Sequence, residues 1–138
     1  MIAIIRIAGQ INISRKVAEG LFRLRLRRKY SAVLMHPTSE NIELLKILRN
    51  YIAYGEIDKE TLHELIKKRS QPLKKGQKIN VESVISELEK KDISNLSIKP
   101  FFRLHPPRGG IDAKKHFGVG KGVLGNNKES INNLIRRM

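Results

Sequence analysis

Residues 2–8 read IAIIRIA, a run of β-branched and apolar side chains that is typical of a buried strand. Two comparable runs follow it, YSAVLMH at 30–36 and YIAYGEI at 51–57. Between these runs the apolar residues recur at helical spacing, first over residues 14–25 and then from Thr38 to Arg49. Residues 1–57 therefore predict the order β-α-β-α-β, with two helices that bury one face of a sheet.

The rest of the chain adds mainly helices to this unit. Asp58 precedes a predicted helix over Lys59–Arg69, and Asn80 precedes another that ends at Lys91. The turn-rich sequence QPLKKG at 71–76 joins them into a helical hairpin. A short strand at 101–104 and a last helix at 130–137 complete the prediction.

These patterns predict the α+β class. Its core is a small β-α-β-α-β sheet domain over 1–57, which corresponds to half of a ferredoxin-like arrangement. A helical insertion follows over 58–98, and a basic, glycine-rich extension with a C-terminal helix occupies 99–138.

The composition changes between residues 108 and 127. Six of the ten glycines lie there, interleaved with basic residues, and hydrophobic periodicity almost disappears. A segment of more than about 15 residues without regular structure is uncommon unless it is functional or disordered. We expect residues 106–127 to be extended and mobile in the free protein, because such a segment cannot offset its ordering entropy by burial.

Charge gives the main indication of a partner. The chain has 28 Lys and Arg against 13 Asp and Glu, a net charge of 28 − 13 = +15. The excess lies at the two ends: residues 1–36 hold eight basic residues and one acidic residue, and residues 99–138 hold nine basic and two acidic residues. The middle, 37–98, is nearly balanced, with eleven basic and ten acidic residues. This distribution favours nucleic acid as the partner, and an acidic membrane surface second.

Several other classes of function are disfavoured. There is no cysteine, so the chain has no disulfide and no thiolate site. No apolar run approaches the ~20 residues of a membrane span, and the apolar start is too short for a signal peptide. We expect a soluble, intracellular protein.

The string GVGKG at 118–122 is a weak match to phosphate-binding loops. A Walker motif would need Gly where Lys115 stands and Ser or Thr where Gly122 stands, and Val123 breaks the Rossmann spacing. The four histidines are widely spaced, which argues against a metal site. We therefore predict no enzyme, no cofactor and no metal.

The basic ends remain as the candidate contact surface. Glycine N–H groups approach phosphate closely, and Arg and Lys supply positive charge. Aromatic residues make up only 5% of the chain, which argues against a platform that stacks single-stranded bases. The expected partner is folded RNA. The alternatives are a free-standing RNA- or DNA-binding regulator, a peripheral membrane protein and an ordinary solvated surface.

Two stretches also resemble a known family. IIRIAGQINISRKVAEGLFRLRLRRKYSAVLMH at 4–36 resembles large-subunit ribosomal protein thirty of the bacterial numbering, whose eukaryotic relative is protein seven. FFRLHPPRGGIDAKKHFGVGKGVLGN at 101–126 is similar to the C-terminal extension of its longer archaeal form, and INNLIRRM at 131–138 fits the end of that form.

The resemblance implies a structural constituent of the large subunit, located in the cytoplasmic ribosome and without catalysis. Its implied partners are large-subunit ribosomal RNA and neighbouring ribosomal proteins, with no membrane and no small-molecule substrate. The RNA-binding residues that the resemblance implies are Arg15, Lys16, Arg25, Arg27, Arg28, His105, Arg108, Lys114, Lys115, His116 and Lys121. We add Arg23 and Lys29, which belong to the same basic run. The sequence departs from the more basic pattern of the family at Asn126 and Asn127, which we expect to turn the chain and to form hydrogen bonds with RNA.

Overall fold

The computed structural model describes residues 1–74, 76, 78–90 and 93–138. Its strands and helices, in chain order, are β1 (Ile2–Arg6), α1 (Arg15–Arg23), β2 (Ser31–Met35), α2 (Ser39–Leu48), β3 (Ile52–Glu56), α3 (Lys59–Arg69), α4 (Val81–Lys90), β4 (Phe102–Arg103), β5 (Ala113–His116), β6 (Gly122–Asn126) and α5 (Ile131–Arg136). The predicted α+β class and the order β-α-β-α-β are confirmed. The predicted end of α4 at Lys91 lies outside the described residues.

The strands form one six-stranded sheet in the order β4-β2-β1-β3-β6-β5. β1 lies between β2 and β3 and is antiparallel to both, whereas β6 runs parallel to β3. The Tyr30 N–H donates to the Arg6 carbonyl at 2.7 Å. The chain therefore returns from α1 to the end of β1, and β2 starts there in the opposite direction.

Both faces of the sheet are buried at its central strand, β1. Ile2 and Ile4 of β1 pack with α1 and α2, whereas Ala3 and Ile5 face a second core built with α3, α4 and α5. The prediction that helices bury only one face of the sheet is therefore wrong. The sequence of β1 gives the physical reason, because an apolar run without alternation is typical of a strand that is buried on both sides.

The glycine-rich extension contains two strands. β5 and β6 run parallel, with Ala113 beside Gly122, and only residues 117–121 connect them. Gly118 and Gly120 turn this short return with φ of 90° and 60°, which L-residues rarely adopt. The expectation of a segment without regular structure is therefore wrong at 113–116 and 122–126, where backbone pairing replaces side-chain periodicity.

The C-terminal helix α5 closes the second core against β3. Gly55 of β3 has no side chain, and a Cβ there would collide with the Lys128 carbonyl and lie 3.1 Å from Ile131. Asn132, 4% exposed, accepts from the Asp58 N–H at 3.0 Å and donates to the Glu56 carbonyl at 3.1 Å. Among the described helices, none is long and apolar enough to cross a membrane.

Candidate nucleic-acid interface

The basic run RLRLRRK at 23–29 begins where α1 ends. The Arg25 N–H donates to the Phe22 carbonyl and the Leu26 N–H donates to the Leu21 carbonyl, both at 2.9 Å. This pair of bonds is a Schellman motif, which terminates helices with a left-handed residue. Arg25 occupies that position with φ 60°, where glycine is usual. The predicted basic turn after the helix is confirmed.

The turn explains the alternation of leucine and arginine. Leu24 and Leu26 are buried in the core beneath α1 and α2, whereas Arg23, Arg25 and Arg27 are exposed. The two leucines thus fix the turn to the core, and the arginines between them point into solvent.

Arg6 holds the turn from below. Its side chain is 4% exposed and donates to the carbonyls of Ala8, Gly9, Leu26 and Arg27 at 2.7–3.0 Å. Burial lowers the pKa of Arg6 from its ordinary value, because the charged form loses hydration. A lone arginine inside an apolar strand was the sequence signal for this role, although the predicted site did not include it.

We name the surface around this turn the arginine groove. Its lining residues are Phe22, Arg23, Arg25, Arg27, Arg28, Ser31, Phe101 and Arg103. Arg103 arrives through strand pairing, because β4 places it opposite Ser31 of β2. The Arg27 guanidinium lies 4.2 Å from the centre of the Phe22 ring, and that of Arg103 lies 5.8 Å from the centre of the Phe101 ring.

Positive charge in the arginine groove is not neutralised by neighbours in the described part of the chain. None of its described lining residues is acidic, and none of its five arginines forms a salt bridge with another described residue. Several guanidinium groups held close together repel one another, so an anion bound between them is favoured.

A second basic surface lies on β5 and the return that follows it. We name it the lysine edge, and it consists of Lys114, Lys115, His116 and Lys121. All four are exposed, and the Lys121 ammonium lies 3.8 Å from the Asp112 carboxylate. β5 and β4 are the outermost strands of the sheet, five strand spacings apart, or about 24 Å at ~4.8 Å each.

The other predicted residues are distributed around these two surfaces. Arg15 and Lys16 lie at the start of α1, and Arg15 pairs with Glu19 at 3.3 Å. Lys29 lies over the Tyr30 ring at 4.7 Å, within the basic turn. His105 and Arg108 follow β4, where their N–H groups donate to the carbonyls of Met138 at 3.2 Å and Arg137 at 2.8 Å.

The two asparagines differ in exposure. Asn126 is exposed, and its side-chain oxygen accepts from the Lys128 N–H at 2.9 Å. Asn127 is 3% exposed, and its amide donates to the carbonyls of Val123 and Gly125 at 2.7 and 3.0 Å. The amide nitrogen of Asn127 is therefore used to hold the end of β6.

Five residues of this region were absent from the predicted site: Arg6, Phe22, Ser31, Phe101 and Arg103. Phe101 and Arg103 are more than seventy residues away from the basic turn in sequence, and the pairing of β4 with β2 brings them together. Across the residues that the structure describes, no group of three or more His, Cys, Asp or Glu could hold a metal ion.

Comparison with known proteins gives consistent matches. The model of the family described as ribosomal protein L30p/L7e matches residues 2–52. The chain is 35% identical to large ribosomal subunit protein uL30 of Methanococcus maripaludis, over 99% of this chain and 97% of the relative. The identity to the proteins of that name from Archaeoglobus fulgidus and Pyrobaculum islandicum is 36% and 37%, over 100% and 99% of this chain and 99% and 92% of the relatives.

Proposed function

The chain belongs to the ribosomal protein L30p/L7e family, and from this membership we propose that it is a structural constituent of the large ribosomal subunit that binds folded ribosomal RNA. Its place is the ribosome in the cytoplasm, where its partners are ribosomal RNA and neighbouring large-subunit proteins. Its role is to hold RNA in shape and not to catalyse a reaction.

The observation that carries RNA binding is the arginine groove. Five arginines converge there from the basic turn and from β4, and no acid balances them among the described lining residues. Guanidinium groups bind phosphate with two parallel hydrogen bonds, so such a groove is suited to the RNA backbone. The lysine edge supplies a second set of phosphate contacts at the opposite side of the sheet.

Sedimentation tests the ribosomal role. We expect the protein, expressed in an archaeal cell, to migrate with the large subunit on a sucrose gradient. Replacing Arg25, Arg27 and Arg28 together by Gln should shift it towards the top of the gradient. These side chains are exposed, so the thermal melt of the purified variant should change little.

A matched control removes the same charge elsewhere. Lys59 and Lys67 are exposed on α3, and Lys74 is exposed after its end. None of the three lines the arginine groove or belongs to the lysine edge, so their replacement by Gln should leave the protein in the large-subunit fraction. Wild-type protein that binds RNA but never enters the large-subunit fraction would favour a free-standing RNA-binding regulator. Equal loss in both triple variants would mean that net charge alone determines binding.

A further inference from the structure

The arginine groove contains two aromatic rings as well as positive charge. Phe22 lies in the last turn of α1 and is 57% exposed, and Phe101, half-buried, precedes β4. A single exposed apolar side chain needs no explanation. Here two rings line one cavity of about 670 Å³, within the range of about 300–1,000 Å³ that is typical of ligand sites.

Each ring has an arginine beside it. The guanidinium of Arg27 lies 4.2 Å from the Phe22 ring centre, and that of Arg103 lies 5.8 Å from the Phe101 ring centre. Phosphate binding requires charge but no ring, whereas a nucleobase stacks on phenylalanine and on the guanidinium plane alike. The groove therefore offers contacts to a base as well as to phosphate.

A paired base cannot use these contacts. In A-form RNA the bases are stacked on one another, and side chains do not enter the deep, narrow major groove. An unpaired base has both faces available, and its flanking phosphates would lie among the arginines. Ser31 adds a hydroxyl to the lining, which can donate to or accept from the edge of a base.

We propose that the arginine groove binds one unpaired nucleotide of RNA, with its base against Phe22 or Phe101 and its phosphates on the surrounding arginines. This inference rests on the proposed function, because it specifies which part of an RNA the groove takes. It differs from what the scarcity of aromatic residues predicts, since the fold gathers two of the few rings at one place.

Fluorescence tests the proposal directly. The probes are an RNA hairpin with 2-aminopurine unpaired in its loop and a blunt RNA duplex of equal charge. We expect wild-type protein to change the 2-aminopurine emission on binding. Phe22→Leu combined with Phe101→Leu should abolish that change and weaken hairpin binding about tenfold, while duplex affinity stays within about twofold.

The control variant is Ile47→Ala, which removes an apolar side chain that is 68% exposed on α2, outside both basic surfaces. It should behave as wild type with both probes. If the double leucine variant, folded by circular dichroism, binds the hairpin and alters its emission as wild type does, the nucleotide site is wrong and RNA binding stands. If folded wild-type protein binds neither probe, the proposed function fails as well.

Should Phe101→Leu disturb β4, Phe22→Leu alone provides the measurement, because the exposed Phe22 ring contributes little to the core. We expect this single change to reduce the emission response by at least half. An unchanged response in a protein that melts as wild type does would contradict stacking on Phe22, and the proposal would then fail unless folded Phe101→Leu abolishes the response.

Discussion

Arg25 combines backbone strain with an exposed charge. A left-handed backbone conformation destabilises an L-residue by about 1–2 kcal/mol, and glycine does not have this cost. Glycine also makes the unfolded chain more flexible, which lowers the free energy of unfolding by about 0.4–1 kcal/mol. We therefore expect Arg25→Gly to raise the free energy of unfolding by roughly 0.5–1 kcal/mol and to weaken RNA binding. Thermal melts and filter binding measure the two effects. The comparison is Arg25→Gln, which should lose affinity without gaining stability, and a lower melting temperature for Arg25→Gly would contradict the assignment of strain.

Arg6 is buried, so we expect it to affect RNA binding only through the residues that it holds. Replacing it by Met leaves backbone carbonyls of the basic turn without a hydrogen-bond donor. Each buried carbonyl without a donor lowers the free energy of unfolding by about 1–3 kcal/mol. We expect Arg6→Met to lower the free energy of unfolding by at least about 2 kcal/mol. Arg49→Met, which removes an exposed arginine after α2, is the charge-matched control. Equal melting temperatures for the two variants would show that Arg6 does not support the turn.

At the scale of the elements, the packing of α5 on β3 depends on Gly55. A methyl group there meets the Lys128 carbonyl and the Ile131 side chain, so the segment before α5 must move. Overpacking of this kind costs about 1–3 kcal/mol. We expect Gly55→Ala to destabilise by that amount in a denaturant melt. Gly9→Ala has open space around the new methyl group and should be neutral; a neutral Gly55→Ala would indicate a looser contact.

The elements also differ in how far the sequence predicts them. Helix α3 was predicted at its observed bounds, because its apolar spacing and Asp58 mark both the face and the start. β5 and β6 were missed because Lys114, Lys115 and the glycines give no alternation, and because β6 pairs with β3, which is distant in sequence. Only part of the arginine groove was predicted. The basic turn is local in sequence, whereas the pairing of β4 with β2 places Phe101 and Arg103 beside it, and no local pattern predicts that pairing.

The whole molecule presents charge at two opposite edges of one sheet. If the protein neutralises about six to ten phosphates, its affinity for RNA should fall roughly a thousandfold when the salt concentration rises from about 50 to about 200 mM. Because the arginine groove adjoins β4 and the lysine edge lies on β5, at opposite edges of the sheet, Gln substitutions in each should add in free energy. Titrations of large-subunit RNA at several salt concentrations measure both quantities. A flat salt dependence, or a combined variant no weaker than either alone, would contradict two independent phosphate surfaces.

The position of β5 has a consequence for the protein before it meets RNA. The outermost strand of a sheet presents unpaired backbone groups to any other extended chain, and lysines along such a strand keep a second copy away by repulsion. We therefore expect Lys114, Lys115 and His116 to oppose self-association of the free protein at the same strand that we propose to contact phosphate. RNA bound there would neutralise this repulsion and cover the strand at the same time, so we expect β5 to stay protected both before and after RNA binding.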